Sequence, residues 1–97
     1  MPWKNPTSYP FDRTSVAIHA PQGSGVYAIF TGRTWIYVGE SLDIRAQLME
    51  HLDGDIPCLT VFPGLMWSYE LHLSETCAWR QNELVREFHP VCNSSLG

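Results

Sequence analysis

The chain has 97 residues, which is enough for one domain with a single small hydrophobic core. Hydrophobic residues make up 44% of the chain, which excludes a disordered protein, and no run approaches the ~20 apolar residues of a membrane span. The formal net charge of −4 argues against non-specific binding of nucleic acid, which depends on clustered basic residues. Because the amino terminus lacks the apolar run of a signal peptide, we expect a cytoplasmic protein.

The amino-terminal segment, residues 1–22, contains four prolines and three aromatic residues. We expect it to form an ordered arm in which Trp3, Tyr9 and Phe11 pack back onto the domain. Within this arm Val16-Ala17-Ile18 favours a short edge strand, because β-branched residues are enriched in strands.

Two short strings, Gly25-Val26-Tyr27 and Tyr37-Val38-Gly39, lie on either side of a predicted turn. Their β-branched and aromatic residues predict a hairpin. A three-residue loop, Thr31-Gly32-Arg33, would place Tyr27 directly opposite Tyr37 on one face of the sheet. A two-residue loop would put them on opposite faces, because a one-residue slip inverts every side chain. We favour the three-residue loop.

A short helix is predicted after this hairpin. Ser41 is the expected N-cap, Asp43 lies in the first turn where the helix dipole favours a negative charge, and Gly54 ends the helix. Apolar residues recur at four-residue spacing and form the buried stripe: Ile44, Leu48 and Leu52.

A strand and a second helix follow an irregular segment at residues 57–64. Alternation predicts the strand over Met66–Leu73, and helical spacing predicts the helix over Glu75–Phe88, with Ser74 as its cap and Pro90 after its end. On this helix Gln81 lies on the inward stripe, whereas Glu83 should face water.

The remaining polar and sulfur-containing residues predict little chemistry. Cys58, Cys77 and Cys92 are odd in number and contain no Cys-x-x-Cys motif, so we expect buried or half-buried reduced thiols. Glu70 is predicted to be a surface charge, and Trp79 to pack in the core or at its rim.

Taken in order, the two tyrosine strings, the helix that ends in His51-Leu52 and the later Pro90-Val91-Cys92-Asn93 resemble the GIY-YIG nuclease family. The resemblance covers roughly residues 23–93, which we take as the domain, with 94–97 as a tail. It implies an α+β fold with a small, mostly antiparallel three-stranded sheet flanked by helices.

The resemblance also implies an activity, which is divalent-metal-dependent hydrolysis of DNA phosphodiester bonds with Mg²⁺ or Mn²⁺. By position, Tyr27 and Tyr37 take the tyrosine roles, and His51 lies where some family members have an active-site histidine. The residues expected to line the site are Gly39, Ser41, Arg45 and Asn93.

Two positions depart from the family pattern. The family's phosphate-binding arginine lies eight residues beyond the second glycine, which is Gln47 here, and its metal-binding glutamate falls on Gln81. The nearby Arg45 and Glu83 point to the far sides of their helices. A guanidinium contacts phosphate through charge-assisted bonds, and hard cations prefer anionic oxygen, so we expect weak or lost activity. The alternative is a non-catalytic module on the same fold that binds nucleic acid, a protein partner or a second copy of the chain.

Overall fold

The computed structural model describes residues 3–32 and 34–94 of the chain. The predicted turn residue Arg33 and most of the predicted tail, residues 95–97, lie outside the described residues. The elements in chain order are β1 Tyr9–Pro10, α1 Arg13–His19, β2 Gly25–Thr31, β3 Thr34–Ser41, α2 Ile44–Leu52, a 3₁₀ helix at Pro57–Val61, β4 Met66–Leu71, α3 Ser74–Phe88 and α4 Val91–Ser94.

The strands form one antiparallel sheet in the order β1-β4-β2-β3. The predicted α+β class is confirmed, but the sheet has four strands where the sequence predicted three. The additional strand comes from the amino-terminal segment, where Tyr9 pairs with Trp67 and Pro10 with Met66. A proline at this outer position removes no ladder hydrogen bond that the sheet needs.

The edge strand predicted at Val16–Ile18 is wrong, because these residues belong to helix α1. The side chain of Asp12 accepts a hydrogen bond from the Ser15 backbone N–H and so caps the helix. Val16 is fully buried whereas Ile18 is 67% exposed, as expected of residues on different faces of a helix.

Both predicted helix caps are also wrong. Helix α2 is capped by Asp43, whose side chain accepts from the Ala46 N–H at 3.0 Å, while the Ser41 hydroxyl makes a turn with the Asp43 backbone. Helix α3 begins at Ser74 itself, after Leu73, and no side chain caps it. Within α2 the predicted stripe is confirmed for Ile44 and Leu48, which are fully buried.

The two faces of the sheet are covered by different helices. Helix α3 packs on one face through Leu84, which lies against Val26, Ala28 and Val38. Residues of α1 and α2 pack on the other face, in a cluster with both tyrosines of the two strings and the fully buried Trp67. The tyrosines therefore belong to the α2 side of the sheet.

Glu70 is not at the surface, where the sequence predicted it, and of the two places predicted for Trp79 the core is excluded. Glu70 is only 6% exposed and forms two hydrogen bonds with the buried guanidinium of Arg80, at 2.8 and 2.9 Å. His72 Nε2 lies 2.8 Å from the same carboxylate. Trp79 is 66% exposed, so it is not a core residue.

The expectation of reduced thiols is wrong for two of the three cysteines. Cys58 and Cys92 form a disulfide that joins the 3₁₀ helix to α4, with a Cα–Cα distance of 5.7 Å. Cys77 is a buried free thiol, as predicted. The sequence could not predict the pair, because proximity in the fold decides it and the two residues are 34 positions apart. In the described part of the chain, no helix is both long and apolar enough to cross a bilayer.

The buried Glu70–Arg80 pair makes stability depend on pH. Burial alone would raise the pKa of Glu70, but hydrogen bonds from Arg80, His72 and the Lys4 N–H outweigh it and lower that pKa from 4.5 to about 2. Because the folded state holds this carboxylate ionised, its stabilisation is present above about pH 4.5 and is lost as pH falls toward 2.

We expect this carboxylate to account for about 3 kcal/mol of the stability lost on acidification. Thermal unfolding between about pH 5 and pH 2 should show a flatter pH dependence for Glu70→Gln, on a lower overall stability because Arg80 stays buried. Glu75→Gln, an exposed change on α3, the helix that carries Arg80, should keep the original pH dependence. An unchanged pH dependence in Glu70→Gln would contradict the assignment.

Candidate active site

A β-bulge in the hairpin determines where the two tyrosines lie. Thr31 pairs with Thr34, so only two residues connect the strands, which without a bulge would put the tyrosines on opposite faces. Between Ile29 and Phe30, however, the register shifts, because the partner of Phe30 is Trp35 and that of Ile29 is Tyr37.

The extra residue of this bulge is Ile36, which restores both tyrosines to one face. The prediction that they share a face is confirmed, but the predicted three-residue loop and the direct pairing of Tyr27 with Tyr37 are both wrong. Tyr27 lies opposite Gly39 and Tyr37 opposite Ile29, so the rings meet diagonally with their centroids 6.2 Å apart.

Gly39 makes room for the Tyr27 ring. A Cβ atom at Gly39 would overlap the Tyr27 hydroxyl oxygen and the ring carbon that carries it. The glycine of the second string is therefore required by a side chain on the neighbouring strand. Its conformational freedom is not the reason, because its φ is not in the left-handed region.

His51 completes the cluster from the last turn of α2. Its Nε2 atom lies 2.6 Å from the Tyr27 hydroxyl and its Nδ1 atom 2.8 Å from a carboxylate oxygen of Asp55. The Tyr37 ring meets the imidazole edge-on, with centroids 5.4 Å apart. We call Tyr27, Tyr37, His51 and Asp55 the tyrosine cluster.

The rings of the cluster are buried, and burial controls the protonation of the two phenols. Tyr27 is 1% exposed and His51 4% exposed. Burial raises the pKa of the Tyr27 phenol, and the nearby phenol of Tyr37 and carboxylate of Asp55 raise it further. Burial, with Asp55 again contributing, also raises the pKa of Tyr37. Both phenols are therefore neutral at physiological pH.

Two amide side chains hold the outer edge of β3. Asn93 accepts from the Val38 N–H at 2.7 Å and donates to the Val38 carbonyl at 2.8 Å. Gln81 donates its amide N–H to the same carbonyl at 3.1 Å. These bonds satisfy backbone groups that an edge strand would otherwise leave unpaired. We call Val38, Gln81 and Asn93 the amide bracket.

The other predicted site residues lie near the cluster in sequence but have different neighbours. Gln47 lies one turn before His51 on α2 and is half-buried. Arg45 donates from Nε to the Ala20 carbonyl at the end of α1, at 2.9 Å, and so is drawn toward α1. Ser41 is engaged in its turn with Asp43. On α3, Glu83 pairs with Arg80, so it does not supply the carboxylate that Gln81 lacks at the amide bracket.

Sequence reasoning missed Asp55. The signal was present in the sequence, because Asp55 lies four residues after His51, a spacing that brings side chains together at a helix end. It could be interpreted only once His51 was known to point inward, which depends on the packing of α2 on the sheet.

The residues present do not fit a magnesium ion. In residues 3–32 and 34–94, no group of three or more His, Cys, Asp or Glu could hold a metal. At the position where the resemblance predicts a metal-binding glutamate stands Gln81, a neutral amide whose nitrogen is directed at the Val38 carbonyl. Mg²⁺ is bound through carboxylates and phosphates, so this donor set lacks the charge that the ion requires.

Enlarging Gly39 tests the geometry of the cluster. We expect Gly39→Ala to destabilise the chain by about 1–3 kcal/mol, because the new methyl group overlaps the Tyr27 ring. Chemical denaturation measures the change. Gly23→Ala is the matched control, since its Cβ would lie 3.7 Å from Leu71 in ordinary contact. Equal, small effects of the two substitutions would show that Tyr27 does not lie across Gly39.

Comparison of the sequence with protein-family models and with curated proteins finds no match. Comparison of the fold with solved structures finds matches. The GIY-YIG N-terminal endonuclease domain of UvrC from Thermotoga maritima, bound to its catalytic magnesium, superposes with a TM-score of 0.71 at 16% identity. The match covers 82% of this chain and 92% of that chain.

Two point mutants of the same Thermotoga maritima domain, bound to the catalytic divalent cation, match similarly. One carries an asparagine-to-alanine change and has a TM-score of 0.71 at 16% identity, covering 82% of this chain and 91% of that one. The other carries a tyrosine-to-phenylalanine change and has a TM-score of 0.67 at 14% identity, covering 76% and 86%. The resemblance inferred from the two tyrosine strings is thus confirmed in three dimensions: this chain has the fold of the GIY-YIG endonuclease domain.

Proposed function

We propose that this chain is a member of the GIY-YIG nuclease superfamily whose metal-dependent DNA cleavage is weak or absent. The observation that carries the proposal is the position of Gln81, whose amide donates to the Val38 carbonyl where the family has a metal-binding glutamate. The chain thus keeps the fold and the tyrosines of a nuclease site without the charges that the chemistry uses.

The retained part is the tyrosine cluster. Tyr27 and Tyr37 share one face of the hairpin, and His51 lies within hydrogen-bonding distance of the Tyr27 hydroxyl. This places an acceptor for a proton next to a phenol, which is an arrangement suited to general acid–base chemistry. This arrangement requires the bulge at Ile36, which puts both tyrosines on one face, and Gly39, which leaves room for the Tyr27 ring.

The part of a nuclease site that is missing is a pair of charged side chains, one for phosphate and one for the metal. Gln47 cannot make the bidentate, charge-assisted contact of an arginine with phosphate. Gln81 offers a metal only a neutral oxygen, so affinity for Mg²⁺ should fall. Removing one group that stabilises transition-state charge commonly costs ~10²–10³ in rate, and removing two should leave little activity.

DNA is the ligand we propose for the candidate active site. The support is the likeness to an endonuclease domain, and the acidic net charge of −4 makes the binding weak. Mg²⁺ or Mn²⁺ would be the cofactor of any residual cleavage.

A second candidate function is binding of a protein partner or a second copy of the chain. The observation that favours it is the exposure of large apolar side chains on and before α3, where Leu73 is 70% and Trp79 66% exposed. Trp79 also borders a surface cleft of about 390 Å³ with Asn82 and Arg86. Exposed tryptophans are enriched at protein interfaces, and an acidic chain suits a protein better than DNA.

The cytoplasmic location expected from the sequence stays a prediction. The Cys58–Cys92 disulfide counts against it, because structural disulfides are rare in reducing compartments.

A cleavage assay tests the proposed loss of activity. The unaltered chain and the double variant Gln47→Arg/Gln81→Glu are incubated with single-stranded, double-stranded and branched DNA in Mg²⁺ or Mn²⁺. We expect the double variant to cut at least ~10²-fold faster, because it regains the phosphate contact and the anionic metal ligand.

The matched control is Gln22→Arg/Asn82→Glu, which makes the same two charge changes at exposed positions. It should behave as the unaltered chain does. Robust metal-dependent cutting by the unaltered chain would contradict the proposal. If neither the unaltered chain nor the double variant cuts, the nuclease interpretation fails and the protein-partner interpretation is favoured.

A further inference from the structure

Three side chains of the tyrosine cluster form a continuous hydrogen-bonded series. The Asp55 carboxylate lies 2.8 Å from His51 Nδ1, and His51 Nε2 lies 2.6 Å from the Tyr27 hydroxyl. The series runs from the surface to the interior, since the Asp55 side chain is 39% exposed whereas Tyr27 is almost fully buried.

The chemistry of these groups assigns the direction of each bond. An ionised carboxylate only accepts hydrogen bonds, so the His51 Nδ1 atom must carry the proton that it donates to Asp55. A neutral imidazole has one N–H, and its Nε2 atom therefore carries a lone pair. The Tyr27 hydroxyl then donates its proton to Nε2, which leaves the lone pairs of the phenol oxygen free to accept from a second group.

We propose that Asp55 is a positioning residue, which holds His51 in the tautomer that accepts a proton from Tyr27. The proposed function rests on the same cluster, and the catalytic meaning of Asp55 depends on it. The tautomer itself is a property of the folded chain, whether or not the chain cuts DNA.

This arrangement supports a transfer of protons from a water or hydroxyl group through Tyr27 to His51. A water or hydroxyl group on the Tyr27 oxygen gives its proton to that oxygen, while Tyr27 passes its own proton to His51 Nε2. The products are a hydroxide or alkoxide and an imidazolium, which is paired with the Asp55 carboxylate. The other groups that act on Tyr27 are the Tyr37 phenol and the carboxylates of Glu40 and Glu50, all of which raise the pKa of its phenol and so keep it neutral.

A purely structural role for Asp55 is the alternative. A carboxylate four residues after a helix-terminal histidine stabilises the helix end modestly, whatever the tautomer. The two roles differ in what happens to the imidazole protons when Asp55 is replaced, and stability measurements alone do not separate them.

The test is ¹⁵N NMR of the imidazole nitrogens, with the His51 signals assigned by their loss in His51→Gln. In the unaltered chain at about pH 8 we expect the tautomer protonated on Nδ1. Asp55→Ala should raise the ratio of the Nε2-protonated to the Nδ1-protonated form by about tenfold or more, because a hydrogen bond to a charged group is removed. Asp53→Ala, a neighbouring surface carboxylate that pairs with Arg13, is the matched control and should leave the ratio unchanged.

Asp55→Asn keeps the test informative if Asp55→Ala does not fold. Its amide oxygen still accepts from Nδ1, so the tautomer should be retained while the Nδ1 proton signal moves upfield, as the bond loses its charge assistance. An Nε2-protonated His51 in the unaltered chain, or a tautomer ratio unaffected by Asp55→Ala, would overturn the proposal. Failure of the proposed function would appear separately, as absence of cutting by Gln47→Arg/Gln81→Glu.

Discussion

The bulge at Ile36 is the constraint on which the rest of the site depends. A two-residue connection between β2 and β3 would by itself put Tyr27 and Tyr37 on opposite faces of the sheet, and one extra residue reverses that outcome. The bulge also sets Tyr27 opposite Gly39, the residue whose missing side chain leaves room for the phenol. Helix α2 can then bring His51 onto Tyr27 only because the ring lies on the α2 face.

The pattern of residues along each strand or helix predicted the features that depend only on residues close together in the sequence. The two tyrosine strings, the buried stripe of α2 and the inward position of Gln81 follow from strand and helix periodicity, and all three are present. The register does not follow, because no turn residue or glycine marks a bulge at Ile36. The Glu70–Arg80 pair and the Cys58–Cys92 disulfide do not follow from periodicity either, since each joins residues that only the tertiary fold brings together. The error at the cap of α2 has a simpler cause, because Asp43 lies two residues after a competing candidate at Ser41.

The shape of the site and its charge depend on different residues. Shape is carried by the bulge, by Gly39 and by the amide bracket, none of which needs a charged residue. The chemistry of a metal-dependent nuclease needs charge at two further positions, and we propose that Gln47 and Gln81 stand at those positions. A glutamine can satisfy the Val38 carbonyl as a donor, which a carboxylate cannot, so Gln81 supports the edge of the sheet at the expense of a metal ligand.

Direct measurement of metal binding at the amide bracket tests most sharply whether Gln81 leaves the site unable to hold a metal. Mn²⁺ is titrated into ¹⁵N-labelled protein while the backbone amide signals of Val38 and Gly39 are followed for paramagnetic broadening. We expect no preferential broadening there in the unaltered chain, and clear broadening in Gln81→Glu, which gains an anionic ligand. Preferential broadening at Val38 and Gly39 in the unaltered chain would contradict this expectation, because the neutral amide would then suffice to hold the metal.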